Sequence, residues 1–252
     1  MSVALGLRSL DGLILAADSQ ATALSAGLPM RSQTEKVHQL GSHILYAGVG
    51  NEGLQQRVAR ALRDKVDLLT PRQDRNRLAE TIHASINAQQ REAVDRWTKI
   101  SSTEEPLWGG VFCGWAIDGP WILEIDPSGE WQFHEAFATA GCASALVHQA
   151  MIDAEYLRLP ERPLVVAQVI AFSALRLACK ASAALISEPV QMAIVGEQGA
   201  RVLAPSELIH IESIAQRRKG VDVAFFDRYT ADADDRQLEL LDAPVKPAAA
   251  AS

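Results

Sequence analysis

Cysteine is scarce: three occur in 252 residues, Cys113, Cys142 and Cys179. Their spacing suits no zinc site, and three cannot all pair within one chain. This fits a reducing compartment, so a cytoplasmic protein is expected. Long apolar runs are missing too. None reaches the ~20 residues that span a bilayer, so no membrane partner is expected. The start lacks a positive n-region followed by an apolar stretch, so no signal peptide is expected either. Positive charge is short, with 24 Lys and Arg against 31 Asp and Glu, a formal net charge of −7. Binding a phosphate backbone needs a basic face, which argues against nucleic acid as the main partner. The local basic cluster Arg217-Arg218-Lys219 reads as a solvated helix end. No G-x-x-x-x-G-K-[ST] occurs, so the chain has no such cradle for ATP. No internal repeat is visible, and neither cofactor nor metal is expected.

What is present is an ordinary globular balance, 48% hydrophobic and 22% charged. Residues 3–9 and 11–18 read as short strands joined at Leu10-Asp11-Gly12, a hairpin signal. Residues 19–34 read as a loop or irregular strand. A second hairpin, 36–40 with 43–47, turns at Gly41-Ser42. Leu54, Val58, Leu62, Val66 and Leu69 recur at helical spacing, which predicts a helix over 53–69. Thr70-Pro71 ends it and can cap a second helix over 72–96. Strands follow over 109–117, 121–125 and 130–137, then helices over 144–158 and 163–184. A strand pair at 190–195 and 201–203 and a short helix over 206–218 complete the order. Residues 2–230 are expected to form one domain. Residues 231–252, acidic and then Ala/Pro-rich, are expected to be a disordered tail.

Two blocks of strands, each followed by a pair of helices, suit two stacked antiparallel sheets covered on both outer faces. This is an α+β class chain, a four-layer αββα sandwich. Helices grouped in pairs do not suit a βαβ alternation. Hairpin turns favour antiparallel pairing.

The first strand begins at Val3, directly behind Met1 and Ser2. Most domains begin with slack polar residues, so the chain start itself is expected to be held in a sheet. Removal of Met1 would leave a serine carrying both a hydroxyl and a free α-amine. That amine titrates near ~8 and can exchange protons with its own hydroxyl. Taken alone, Met-Ser is a common way to begin a protein. Asp18 at a strand end commonly solvates a turn, and Lys36 at the mouth of a hairpin commonly lies at the surface. Gly48 commonly marks a tight turn, although its N–H can also stabilise an oxyanion.

Together these residues carry a resemblance. The stretches S-V-A-L-G-L, D-G-L-I-L-A-A-D-S-Q-A-T, E-K-V-H-Q-L and A-G-V-G resemble the proteasome β-subunit and HslV family of N-terminal-nucleophile hydrolases. Ser2 precedes Asp18 by 16 residues and Lys36 precedes Gly48 by 12, the family's spacings. The likeness is clear over 2–70 and extends to about 205. Length and the serine start look closest to the proteasome homologue of betaproteobacteria.

The resemblance implies roles. Ser2 Oγ attacks a scissile carbonyl, Lys36 assists its deprotonation, Asp18 orients Lys36, and the Gly48 N–H receives the oxyanion. The family's G-S-G turn corresponds to Gly141-Cys142-Ala143, with Ser144 close by to supply the hydroxyl that Cys142 lacks. The family's Asp-x-x-Ser pair corresponds to Ala184 and Ser187, with the acid absent. The resemblance also implies polypeptide substrates and a homo-oligomer of two stacked rings, heptameric or hexameric. An ATP-dependent unfoldase is implied as partner. Serine lacks the methyl that restricts a threonine rotamer, which predicts a slower peptidase. Two other readings stay open: a ring-forming scaffold that has lost proteolysis, and an acylase acting on small amides.

Overall fold

The computed structural model describes residues 2–25, 28–100, 107–154, 156–183 and 185–232. Its contacts divide the chain into Met1–Glu212 and Ser213–Ser252. Among the described residues, two five-stranded sheets, one two-stranded sheet and four of the five α-helices lie in the first unit.

Strand β1 (Val3–Arg8) pairs antiparallel with β2 (Leu13–Ala17), Ala4 opposite Ala17 and Arg8 opposite Leu13. The turn between them is closed by the Ser9 N–H and hydroxyl, both donating to the Gly12 carbonyl at 2.9 and 2.7 Å. The chain start is thus held in a sheet, as the early apolar run predicts. Residues 20–33, expected as a loop or irregular strand, form a separate hairpin of β3 (Gln20–Ser25) and β4 (Leu28–Gln33). The hairpin lies outside both large sheets, so its strands lack the apolar alternation that marks the others.

Strands β5 (Val37–Leu40), β6 (Ile44–Gly50), β7 (Trp108–Ala116), β8 (Gly119–Ile125) and β9 (Trp131–His134) form one antiparallel sheet in sequence order. The single strand predicted over 130–137 is really two. After His134 the chain leaves this sheet, and β10 (Phe137–Gly141) joins the other beside β1. The corner is fixed by the Arg8 N–H donating to the Ala136 carbonyl at 2.8 Å. With β11 (Gln191–Gly196) and β12 (Gly199–Val202), that second sheet runs β10-β1-β2-β11-β12.

Helices α1 (Glu52–Arg63) and α2 (Arg75–Ile100) cover the sequential sheet, and α3 (Ser144–Asp153) and α4 (Leu164–Ala181) cover the other. This is the expected αββα sandwich. Alternation along β6 shows how it is built. Ile44 and Tyr46 face the helices with Leu54, Val58, Leu62, Leu78 and Ile82. Leu45, Ala47 and Val49 face the opposite sheet with Ala4, Leu15, Val111 and Val195. Gly6 of β1 lets the sheets close, since a Cβ there would lie 2.7 Å from Val111 Cγ1.

Helix bounds differ in places. Asn51 caps α1 by accepting from the Leu54 N–H at 3.0 Å, and the helix ends at Arg63 before a short 3-10 turn, Val66–Leu68. The second helix is capped by Asp74 rather than by Thr70-Pro71: its carboxylate accepts from the Arg77 N–H at 3.0 Å. Helix α4 is long and apolar enough by composition to cross a membrane, but one face, including Ala167, Ala171, Leu175 and Ala178, is buried in the fold. Helix α5 (Pro205–Asp232) outruns the predicted 206–218, so Arg217-Arg218-Lys219 lies within a helix rather than at its end. Of the expected tail, residues 233–252 lie outside the described residues.

Candidate active site

Asp18 follows β2, and Lys36 precedes β5. The carboxylate and the ammonium meet across the gap between the two sheets at 2.8 Å, with Asp18 0% and Lys36 1% exposed. Two buried charges need partners, because desolvation otherwise drives them neutral. Asp18 is fully provided. Its Oδ1 accepts from Lys36 Nζ and from the Val3 N–H at 2.9 Å, and its Oδ2 from the Gln20 N–H at 3.0 Å. The acid therefore holds both the lysine and the peptide directly after Ser2.

Lys36 is fixed at its backbone as well. Gln191, first residue of β11, accepts the Lys36 N–H at 2.8 Å and the Val37 N–H at 3.3 Å through Oε1. Its Nε2 donates to the Thr34 carbonyl. Gln191 carries no sequence signal, because it lies 155 residues from Lys36. Burial lowers the proton affinity of Lys36 below the usual lysine value, against the attraction of Asp18. Cys179 of α4 feels the same pair. Burial first, then Asp18 and Glu188, push its thiol up to about 12, so it stays protonated near neutral pH.

Ser2 and Lys36 open onto a cavity of about 1080 Å³, whose wall also includes Thr139, Gly141, Cys142 and Ser144. Cys142 grips the chain start: its N–H donates to the Ser2 carbonyl at 2.9 Å and its thiol reaches the same oxygen at 3.5 Å. Gly141 permits this with φ +104°, and a Cβ there would run into the Ser2 carbonyl. Gly48 belongs to β6 opposite Gly110 of β7. The β5–β6 register ends at Val37 opposite Ala47, and one step further sets Gly48 across from Lys36. The cavity wall there is formed by Val49 and Gly50 rather than by Gly48 itself. Ser187 stands apart from the cavity wall, and its carbonyl accepts from the Ser19 N–H at 3.3 Å. Ala184 lies outside the described residues.

The structure thus brings Ser2, Lys36, Cys142 and Ser144 together around one cavity, with Asp18 buried behind Lys36, and leaves Gly48 and Ser187 out of the cavity wall. A serine at the start of β1 and a buried lysine–carboxylate pair lie between two face-to-face antiparallel sheets with helices outside. The layering, two antiparallel sheets between helices, is the N-terminal-nucleophile hydrolase sandwich as a fold. The chain belongs to the proteasome subunit family, whose model, described as "Proteasome subunit", matches residues 2–195. A solved structure described as the helical assembly of the Anbu complex from Pseudomonas aeruginosa is similar, with a TM-score of 0.70 and 12% identity. The match covers 90% of this chain and 96% of that one, and at this identity the likeness is one of fold. No curated protein matches the chain.

Proposed function

We propose that the chain is an N-terminal-serine peptidase that hydrolyses peptide bonds of unfolded polypeptides. The observation that carries this reading is the buried Lys36–Asp18 pair, 2.8 Å across, opening with Ser2 onto one large cavity. Once Met1 is removed, Ser2 Oγ attacks the scissile carbonyl and forms a C–O bond. The hydroxyl proton passes toward Lys36, whose lowered proton affinity favours the neutral amine that accepts it. Asp18 holds Lys36 in line. The oxyanion is met by the Gly48 N–H, a class of contact worth roughly 3 kcal/mol in the transition state. The C–N bond then breaks, the leaving amine takes a proton through the Ser2 α-amine, and water hydrolyses the resulting ester. Cys142 and Ser144 flank the nucleophile, and Ser187 holds the Ser19 N–H, next in the chain to Asp18, through its carbonyl.

The same reading places the active sites inside a chamber of two stacked rings, heptameric or alternatively hexameric, in the cytoplasm. An ATP-dependent unfoldase would feed it. Within the family, the serine start supports membership of the betaproteobacterial homologue group. One observation favours a second reading, a ring scaffold without proteolysis: a thiol, a weaker hydrogen-bonding group than a hydroxyl, stands at Cys142 beside Ser2.

The test is intact mass after incubation with a peptide epoxyketone, which needs both the hydroxyl and the free amine of one residue to form its ring. One adduct per chain on a species lacking Met1 is expected. A species lacking Met1 that takes no adduct and hydrolyses no peptide would leave the scaffold.

A further inference from the structure

The pair Gly48 and Gly110 is a weak place in the sequential sheet. Two glycines face each other across β6 and β7, and neither has a side chain to pack. Glycine is also the least restrained backbone. Gly48 lies one residue past the last rung with β5, so its neighbour on that side is no longer paired strand. This is the residue to which the peptidase reading gives the oxyanion. A donor stabilises a developing charge well only if it is held in place beforehand.

Trp108 fills that gap. It is 0% exposed, and its indole lies over both glycines. A Cβ built on Gly48 would lie 2.9 Å from Trp108 Nε1, and one on Gly110 would lie 2.8 Å from Cη2. The ring edge therefore occupies the space that two missing side chains would take. An aromatic ring laid across a glycine is a known way to stiffen a sheet. Phe112, tilted at 6.3 Å, backs the indole from the same strand. The indole N–H has no partner, so packing rather than a hydrogen bond holds the ring. The ring fits the glycine pair closely, and a smaller ring would leave it partly unsupported.

We infer that Trp108 is a positioning residue for the oxyanion donor, acting through the backbone of Gly48. The inference rests on the peptidase reading. The test is steady-state hydrolysis of a short fluorogenic peptide by the assembled wild-type protein and by Trp108→Phe. The expected result is a kcat lower by about tenfold with KM within about twofold, because the loss is confined to the transition state. Trp108→Leu, which removes the ring altogether, is expected to show the same split with a larger fall in kcat; Gly110→Ala is unsuitable, because its Cβ would also meet the Ala47 carbonyl at 2.9 Å, in the peptide that carries the Gly48 N–H. Leu40→Ala is the packing control: it thins the same core at the turn end of β5 and β6, opposite Ile44 and away from both glycines, and kcat should hold. Unchanged kcat in folded Trp108→Phe and Trp108→Leu overturns the inference, as does an equal loss in Leu40→Ala. A wild-type protein inert to both peptide and epoxyketone overturns the peptidase reading itself, a distinct result.

Discussion

The sheet β5–β9 is a run of neighbours in chain order, whereas β10-β1-β2-β11-β12 gathers strands from both ends of residues 3–202. The first is turned tightly at β5–β6, β7–β8 and β8–β9, with α1 and α2 inserted between β6 and β7, and its outer face is packed with large side chains such as Tyr46, Phe112 and Leu123. The second carries the chain start, the strand leading to Asp18 and the strand that begins at Gln191. The buried polar residues Ser2, Asp18, Ser19 and Gln20 all lie on or beside it. The difference separates two tasks. A sequential sheet can be made stable by local pairing and apolar burial. A sheet assembled from distant segments can bring together groups that no local stretch would hold. Lys36 stands at the join, since it opens the sequential sheet yet bonds to Asp18 and Gln191 of the other sheet.

Substitutions should split along that line. Ser2→Ala is expected to lower peptide turnover by roughly 10³-fold or more, the scale for loss of a nucleophile. Its melting temperature should match that of the wild type. Asp18→Ala should cost about 3–5 kcal/mol in a denaturant titration, because it leaves the Lys36 ammonium buried without its partner. It also removes the carboxylate that accepts from the Val3 and Gln20 N–H groups. Replacing Asp18 and Lys36 together by apolar residues should be less damaging to stability than Asp18→Ala, yet equally inactive. In the sequential sheet, Leu123→Ala should cost about 2–5 kcal/mol as a core truncation, while kcat of the folded fraction stays within about twofold. A large kcat loss there would sink the division of labour.

Acidity gives a smaller effect. If neutral Lys36 takes the Ser2 proton, turnover should rise with pH by up to about tenfold per unit until the lysine has lost its proton. The plateau should arrive below 10.5, the ordinary lysine value, because burial disfavours the charged form. The limb should vanish in Lys36→Met, read against the residual rate. Smallest is Asn51→Ala, which removes the cap on α1 at the edge of the cavity. It should cost about 1 kcal/mol, seen as a modest shift in the denaturation midpoint.

The sequential sheet was the more legible half of the fold. Alternating residues in β6, β7 and β8, bounded by Gly41-Ser42 and Asp118-Gly119, mark strands and turns from local pattern alone. The distant sheet was legible at β1 and β2 but not at its edge. The stretch 130–137 reads as one strand because periodicity does not show where a chain changes sheets. Residues 19–34 read as a loop or irregular strand, and not as a hairpin, because the pair β3 and β4 lies outside the main sheets and shows no clear apolar alternation. In the site, Ser2, Asp18, Lys36 and Gly48 carry a family spacing and were expected together. Gln191 and Trp108 act by packing and by bonds to backbone, and neither leaves a motif.

One bond has a broader consequence. The Val3 N–H is held by Asp18 and Val3 stands opposite Gly141, the first rung of the sheet. Ser2 is therefore a fixed count of one from a locked register. Side chains alternate faces, so a slip of a single residue would turn Val3 toward the place of the serine and drive the apolar faces of β1 the wrong way. The sheet works as a ruler for the chain end. An error of one residue in register is therefore rejected by the whole strand rather than by Ser2 alone.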